Sequence, residues 1–233
     1  MTKIAIIPAR GGSKRLPRKN ILPVLGNPAL YYPVQSALKT GLFDRIIVST
    51  EDREIKEISE KCGAEVMQRP EALASDRVGV VQVCQDVLEQ LDAQGIQPKQ
   101  FCCIYATALF ITPKDLQQSW LMMEQLCDTQ IVMGVSGFNL HPVQALETHE
   151  SGWLRPKWPD YNRLQSQFHP KLVASNGTFY WADTLAFLRN KTFYADKLKG
   201  YEIPWIRAID LDTAEDYRNV QLLAPLFLSK EVS

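Results

Sequence analysis

Short apolar runs alternate with longer amphipathic stretches through the first half of the chain. The first run, Ile4 to Ile7, is continuously apolar, as expected of a strand that helices cover on both faces. Similar runs recur at 45–50 and 101–105, and each is followed by a stretch with apolar residues at helical spacing. This alternation predicts right-handed βαβ crossovers, and therefore an α/β fold with a mainly parallel sheet and helices on both faces.

The predicted elements cover the chain apart from one irregular segment. From Ser136 to about Pro170 the periodicity fades, and proline, tryptophan and polar residues accumulate. We therefore predict a single domain over residues 1–233 with an inserted arm at about 136–175, because no linker or internal repeat divides the chain. Strands are predicted at 4–7, 45–50, 65–67, 101–105, 131–135, 178–181 and 208–211, and helices at 28–40, 52–62, 78–91, 115–127 and 214–223, the last stopped by Pro225.

Composition argues against several classes of partner and site. Lysine plus arginine and aspartate plus glutamate are balanced at 26 each, whereas general binding to nucleic acid or anionic membranes requires a basic excess. No apolar run approaches the ~20 residues of a transmembrane helix, and the run before Arg10 is too short for a signal peptide. The five cysteines lack CxxC spacing, which argues against structural zinc and for reduced thiols. The sequence thus predicts a soluble cytoplasmic protein with no nucleic-acid or membrane partner.

The segment after the first strand, residues 8–20, combines paired glycines with dense positive charge and contains no carboxylate. Gly11 and Gly12 allow the backbone to approach a ligand closely, and ligands of such sheets bind at the carboxyl ends of strands. A triphosphate fits this chemistry, because its leaving pyrophosphate needs charge neutralisation. The alternative is an ordinary turn with a solvated basic face, since neither the P-loop pattern nor the dinucleotide fingerprint is present. The cations of the segment are Arg10, Lys14, Arg15, Arg18 and Lys19.

Two carboxylates stand two residues apart near the end of the chain. Asp210 and Asp212 lie on a predicted strand, where residues i and i+2 face the same side and both reach one cation. Hard oxygen ligands of this kind suit Mg²⁺, which takes the rest of its shell from water and substrate phosphates. The alternative is a helix start, in which Asp212 or Thr213 caps the next helix and Asp210 is solvated. Spacing alone leaves both interpretations open.

Three stretches resemble the CMP-sugar synthetases for sialic-type sugar acids. Residues 7–21, Ile-Pro-Ala-Arg-Gly-Gly-Ser-Lys-Arg-Leu-Pro-Arg-Lys-Asn-Ile, look like the opening signature of these cytidylyltransferases. Asp-Leu-Asp-Thr at 210–213 looks like their Asp-Ile-Asp-Thr metal motif. Cys-Cys-Ile-Tyr-Ala-Thr at 102–107 is similar to the pseudaminic acid branch, whereas Gln-Pro-Thr is usual in the neuraminic branch. The resemblance extends from the N-terminus to Asp216 and covers nearly the whole chain.

The resemblance implies a fold, a reaction and partners. The fold is Rossmann-like, and the inserted arm is a dimerisation arm that makes the protein a homodimer. The reaction transfers CMP from CTP, the co-substrate, to the anomeric hydroxyl of a nine-carbon sugar acid, with Mg²⁺ as cofactor and pyrophosphate as second product. Pseudaminic acid is the favoured sugar acid, with neuraminic or legionaminic acid as alternatives. The competing class of function is a non-catalytic nucleotide-binding regulatory module, which would not need the aspartate pair.

The resemblance also implies roles for individual residues. Asp210 and Asp212 would hold the metal, and together with Arg10 and Lys19 they form the predicted catalytic set. The predicted nucleotide-binding residues are Ala9, Arg10, Gly11, Gly12, Ser13, Lys19, Asn20, Arg69, Tyr105 and Thr107, with Asp76 holding the adjacent loop. The predicted sugar-binding residues are Gln144, Arg163, Ser166, Gln167 and Phe179, with Lys171 as an alternative to Arg163 for the sugar carboxylate.

The chain departs from the family pattern in places. Glu51 stands where the family's Ser-Thr-Asp-Asp has its first aspartate, and we predict for it no role beyond the turn between strand and helix. Leu109 stands where the family's Ala-Pro-Phe has proline, and Val80 where a small hydroxyl residue is common. Ser-Asn-Gly at 175–177 is closer to the neuraminic branch than to the pseudaminic one. This mixture leaves the exact sugar open while the predicted reaction class is unchanged.

Overall fold

A computed structural model describes residues 2–125 and 129–228. Six of the seven predicted strands are present, whereas the two short hairpins and the strand Leu198–Glu202 were not predicted. The strands are β1 (Lys3–Pro8), β2 (Pro23–Val24), β3 (Asn27–Pro28), β4 (Arg45–Thr50), β5 (Glu65–Gln68), β6 (Gln100–Ile104), β7 (Ile131–Ser136), β8 (Leu146–Thr148), β9 (Leu154–Pro156), β10 (Ala174–Asp183) and β11 (Leu198–Glu202).

The α-helices lie between the strands, and several short 3-10 turns accompany them. The helices are α1 (Tyr31–Thr40), α2 (Arg53–Lys61), α3 (Val80–Asp92), α4 (Pro113–Gln125), α5 (Pro159–Asn162), α6 (Thr184–Asn190) and α7 (Ala214–Phe227). The 3-10 turns are Lys19–Ile21, Glu71–Leu73, Pro142–Gln144, Ser166–Phe168 and Trp205–Arg207.

Seven strands form one sheet in the order β11-β7-β10-β6-β1-β4-β5. Neighbouring strands run parallel, except that β10 is antiparallel to both β6 and β7. The predicted α/β fold with a mainly parallel sheet is therefore confirmed. The parallel pairing brings the carboxyl ends of β1, β4 and β6 to one edge of the sheet, where ligands of such folds bind.

Alternate residues of each central strand pack on opposite faces of the sheet. On one face, Ala5 and Ile7 of β1 join the apolar sides of α1, α2 and α4. On the other face, Ile4 and Ile6 join residues of α3 and α6. Helices on both faces, as predicted, explain why β1 is continuously apolar, because neither of its faces contacts water. A third cluster joins the β2–β3 hairpin to α7 and includes Leu211.

Several predicted element boundaries were wrong. The first helix begins at Tyr31 instead of residue 28, because Asn27–Pro28 pairs with Pro23–Val24 in a hairpin. Residues 208–211 do not form a strand, because Leu211 packs into the cluster beside α7 instead of joining the sheet. Pro225 lies inside α7 near its end and does not stop it. The predicted end of the fourth long helix, Cys127, lies outside the described residues.

The segment between β7 and β10 contains only short elements, the hairpin β8–β9 and α5. Contiguous exposed apolar surface commonly marks a site of interaction in proteins. Many of the apolar side chains in this segment are exposed, namely Phe138, Leu140, Leu146, Trp153, Leu154, Trp158, Tyr161, Leu164, Phe168, Leu172 and Val173. The helices of residues 2–125 and 129–228 include none that is both long and apolar enough to cross a membrane.

Candidate active site

The predicted aspartate pair and the basic loop meet at the carboxyl edge of the sheet. Lys19 Nζ donates to Asp212 Oδ1 at 2.6 Å, and Arg15 Nη2 donates to Asp212 Oδ2 at 2.6 Å. The loop follows β1, whereas Asp212 precedes α7, so nearly 200 residues of chain separate the partners. An open cleft of about 760 Å³ beside this contact is lined by Arg15, Trp205, Asp210, Asp212, Asp216 and Leu222, among others.

The two aspartates have different electrostatic environments. Desolvation tends to raise the pKa of Asp212, but the hydrogen bond from Lys19 and the charges of Lys19 and Arg15 outweigh it, so the net pKa is lowered. Desolvation, followed by the negative charge of Asp212, raises the pKa of Asp210, although part of its side chain remains exposed. Asp210 accepts no hydrogen bond from any described residue, so its carboxylate oxygens are available to a ligand.

A second distant carboxylate neutralises the other side of the loop. Asp76 Oδ1 accepts from Arg10 Nη1 at 2.6 Å, and Asp76 Oδ2 lies 2.6 Å from Lys14 Nζ. These bonds, with Lys14 contributing more than Arg10, lower the pKa of Asp76. Since Asp76 and Lys14 are exposed, the pairs are weak in water. A bound polyanion is therefore able to replace Asp76 as the partner of Arg10 and Lys14 at a small cost in free energy.

The turn between β4 and α2 holds the basic loop through a contact with Arg18. Arg18 holds both carboxylate oxygens of Asp52, at 2.5 and 3.0 Å, and also contacts Glu54. Asp52 is itself the N-cap of α2, accepting from Ile55 N at 2.9 Å. The hydrogen bond from Arg18 is the main cause that lowers the pKa of Asp52. Arg18 therefore holds the loop against the turn before α2, whereas Arg15 and Lys19 contact the aspartate pair.

The paired glycines are not equivalent. A Cβ on Gly11 would lie 2.3 Å from Asp52 Oδ2 and 3.0 Å from Asp52 Cβ, whereas a Cβ on Gly12 would meet nothing within 4 Å. The Gly11 amide donates to Glu51 Oε1 at 2.7 Å, so it is not available to phosphate. Among the described residues, none accepts from the Gly12 amide. Phosphate contact is therefore expected at Gly12 and not, as the sequence suggested, at both.

We expect Gly11→Ala to lower the melting temperature by several degrees, because Asp52 is held by Arg18 and cannot move aside freely. Gly12→Ala should leave the melting temperature unchanged and raise the KM for a bound triphosphate, since its methyl group projects into open space at the loop. Thermal unfolding and steady-state kinetics on both variants check this. Equal melting temperatures for the two variants would contradict the assignment.

Three further residues predicted to bind the nucleotide, Asn20, Tyr105 and Thr107, lie in different surroundings. Asn20 is buried, and its Nδ2 donates to Arg10 O at 2.9 Å, so this donor shapes the loop instead of facing a ligand. Tyr105 follows β6 and lies beside Tyr180, with ring centroids 5.8 Å apart. Burial is the main cause that raises the pKa of Tyr105. Thr107 is buried two residues further on.

Arg69 is a buried cation at the same edge of the sheet, with its side chain 3% exposed. Its Nη2 donates to Ser49 O at 2.7 Å and its Nε to Ser49 Oγ at 3.3 Å. Desolvation lowers the pKa of Arg69, and the negative charge of Glu51 opposes this. Glu51, for which the sequence suggested no role beyond the turn, is thus in contact with both Gly11 and the charge of Arg69. A glutamate directly after a strand, at the sheet edge where the basic loop was also predicted, was the signal available in the sequence.

The predicted sugar-binding residues are not assembled by the single chain. Phe179 is fully buried in the core and lies 6.0 Å from the ring of Tyr201, so its side chain does not face a ligand. Its position in the middle of β10, paired with Ile104, explains this burial. The other four are exposed in the arm and make no hydrogen bond to the basic loop or the aspartate pair within the described residues. They are Gln144, Arg163, Ser166 and Gln167.

Comparison with known proteins places this geometry in a family. The cytidylyltransferase family model matches residues 4–221. The chain is 31% identical over 225 residues to the pseudaminic acid cytidylyltransferase of Campylobacter jejuni, covering 96% of both chains. It is 28% identical to the CMP-N,N'-diacetyllegionaminic acid synthase of Legionella pneumophila, covering 97% of both. A solved CMP:2-keto-3-deoxy-manno-octonic acid synthetase complexed with CTP shares the fold, with a TM-score of 0.70 at 14% identity over 100% of both chains. The chain therefore belongs to the cytidylyltransferase family.

Proposed function

We propose that the protein transfers CMP from CTP to the anomeric hydroxyl of pseudaminic acid and releases pyrophosphate. The observation that carries this proposal is the contact of the basic loop with the aspartate pair, which places cations and carboxylates together at the carboxyl edge of the sheet. The Campylobacter jejuni relative supports pseudaminic acid as the acceptor, and the Legionella pneumophila relative keeps legionaminic acid as the alternative.

The loop cations would bind the triphosphate by exchanging partners. Arg10 and Lys14 would leave Asp76, and their forks and ammonium donors would hold phosphate oxygens instead. Lys19 would neutralise charge that develops on the phosphates as the hydroxyl oxygen bonds to the α-phosphorus. The bond from the α-phosphorus to the bridging oxygen breaks, its electron pair leaves with pyrophosphate, and the proton of the attacking hydroxyl is released to water. Orientation and fixed charge supply the catalysis, so no covalent intermediate with the protein is needed.

Asp210 and Asp212 are the residues that would hold Mg²⁺. Two carboxylates fit this ion, which prefers oxygen ligands and shares its shell with substrate phosphates. Asp210 fits best because it accepts no hydrogen bond within residues 2–125 and 129–228, while Asp212 would have to release Lys19 or Arg15. Asp216 is occupied differently, since it accepts from the Thr213 amide and hydroxyl at the start of α7. When bound, Mg²⁺ supplies positive charge to the triphosphate and acidifies a coordinated hydroxyl.

The exposed arm supports a homodimer as the working form. Arg163 and Gln167 lie on an arm rich in exposed apolar residues, and pairing of two arms would bury that surface and bring sugar-binding residues toward a site. Light scattering should give twice the chain mass of 26.5 kDa. A monomer mass at micromolar concentration would contradict the homodimer.

A cytoplasmic location stays a prediction, consistent with free buried thiols at Cys62, Cys84, Cys102 and Cys103.

Pyrophosphate release from CTP tests the function directly. With Mg²⁺ present, pseudaminic acid should give turnover, and legionaminic and neuraminic acids should give less. CTP replaced by UTP or ATP serves as the nucleotide control. Turnover with another acid of the panel would keep the reaction and change the assigned sugar. CTP binding without release for any acid would favour a non-catalytic nucleotide-binding module.

A further inference from the structure

Glu51 carries a buried oxygen that is not hydrogen-bonded. Its side chain is 12% exposed, and its Oε1 accepts from the Gly11 amide at 2.7 Å. Its Oε2 is buried and finds no hydrogen-bond partner within the described residues. A buried carboxylate oxygen left without a partner costs free energy, because it has lost its water. Such an oxygen in a folded protein calls for an explanation in terms of function or an absent partner.

The side chain that faces this oxygen is Arg69. The Arg69 backbone continues the pairing of β5 with β4 by donating to Thr50 O at 3.0 Å. The positive charge of Arg10 in the basic loop is close enough to help lower the pKa of Arg69, after the larger effect of desolvation. Its Nη1 lies 3.9 Å from Glu51 Oε2, within ion-pair range but beyond a hydrogen bond. Since Nε and Nη2 are both used by Ser49, Nη1 is the nitrogen left for a ligand or for Glu51.

The charge of Glu51 favours the charged form of the buried Arg69 side chain. The guanidinium is almost entirely removed from water, which penalises its charged form, and Glu51 supplies the largest opposing electrostatic attraction. The same carboxylate holds the loop through Gly11. One side chain therefore touches both the basic loop and the buried arginine, and a movement of about 1 Å would close the gap to a hydrogen bond.

We propose that Glu51 is a positioning residue that couples the basic loop to Arg69, so that both present their donors to CTP together. This inference rests on the proposed function, because it takes CTP as the ligand of the loop. Glutamate suits the role because its Oε1 accepts from the Gly11 amide while its Oε2 faces Arg69 Nη1 at 3.9 Å. Aspartate, which the family pattern has here, is one methylene shorter and would reach only one of them.

The test is Glu51→Gln, which keeps an oxygen for Gly11 but removes the charge that faces Arg69. We expect the KM for CTP to rise about tenfold while kcat changes less than about twofold, because the loss concerns binding of the nucleotide before chemistry. The melting temperature should stay near that of the wild type. Glu57→Gln is the matched control, since Glu57 is an exposed carboxylate on α2, which begins two residues after Glu51, and its only ion pair within the described residues is with Arg53.

A double-mutant cycle separates coupling from a general structural effect. If Glu51 acts through Arg69, Glu51→Gln should add little to the KM of an Arg69→Gln variant. Should Arg69→Gln fold poorly, Arg69→Lys serves in its place. A tenfold effect of Glu51→Gln in both backgrounds, or an unchanged KM in an active protein, would overturn the role of Glu51. Wild-type protein that does not turn over CTP would overturn the proposed function, whereas an unchanged KM in an active Glu51→Gln variant would overturn only the role of Glu51, so the two failures are distinguishable.

Discussion

Asp212→Asn is expected to fold normally and to lose turnover by about 10²–10³-fold, on the scale of removing one group that stabilises charge in the transition state. Asparagine has nearly the same volume, so packing is kept. However, it lacks the charge that Lys19 and Arg15 now neutralise at 2.6 Å each, and it is a poor ligand for Mg²⁺. The measurement is pyrophosphate release at saturating CTP over a range of Mg²⁺ concentrations.

The matched control for this variant is Glu215→Gln. Glu215 is an exposed carboxylate in the first turn of α7, close in sequence to Asp212, so the substitution removes the same charge from the same region. It should retain full activity. Near-normal turnover of Asp212→Asn at saturating Mg²⁺ would show that Asp212 does not hold the metal. Equal losses in both variants would point to net charge instead of a specific site.

Arg207→Ala is expected to destabilise the fold by about 3–5 kcal/mol, because it leaves a buried carboxylate without its partner. Asp115 is 4% exposed and accepts from Arg207 Nη1 at 2.6 Å and from Nη2 at 3.1 Å. Arg207 also donates to Phe110 O at 3.1 Å. For a chain of this length, the loss corresponds to a melting temperature lower by about 10 °C. Arg218→Ala, an exposed arginine on α7, should cost little.

The same ion pair predicts how stability depends on pH. Desolvation acts to raise the pKa of Asp115, but hydrogen bonds from Arg207 and Thr112 outweigh it, and the net pKa is lowered. A carboxyl whose pKa is lower in the folded state stabilises the fold above its unfolded pKa of about 3.9. That stability is lost as the pH falls through the folded-state pKa. The difference in melting temperature between wild type and Arg207→Ala should therefore shrink below about pH 4. A constant difference would contradict the pair as its cause.

Arg207 also connects stability to the site. It lies in the 3-10 turn Trp205–Arg207, directly before the irregular segment that carries Asp210 and Asp212. Its bonds to Asp115 and Phe110 tie this turn to the start of α4 and to the preceding loop. We therefore expect Arg207→Ala to lower activity at temperatures below its melting point, through displacement of the aspartate pair.

Local patterns were sufficient for the main elements of the fold. A buried parallel strand must be apolar on both faces, so the apolar run Ile4 to Ile7 predicts β1. A glycine after a helical stretch predicts the helix end, and Gly41 adopts the left-handed backbone conformation that ends α1. The basic loop was also visible, because charge and glycine content are properties of one short segment. Residues 208–211 misled because Ile209 and Leu211 alternate as in a strand, although they pack beside α7.

The sequence did not reveal which charged side chains form ion pairs with each other. Lys19 and Arg15 pair with Asp212 from nearly the other end of the chain, Arg10 and Lys14 pair with Asp76, and Arg18 pairs with Asp52. These five loop cations look alike in sequence, and their partners are set by where distant loops converge at the sheet edge. The role of Glu51 and the burial of Phe179 arise in the same way. The periodicity of apolar residues determines whether a segment forms a helix or a strand and which of its faces is apolar. Ion pairing and burial depend instead on which sequence-remote segments the tertiary structure brings together.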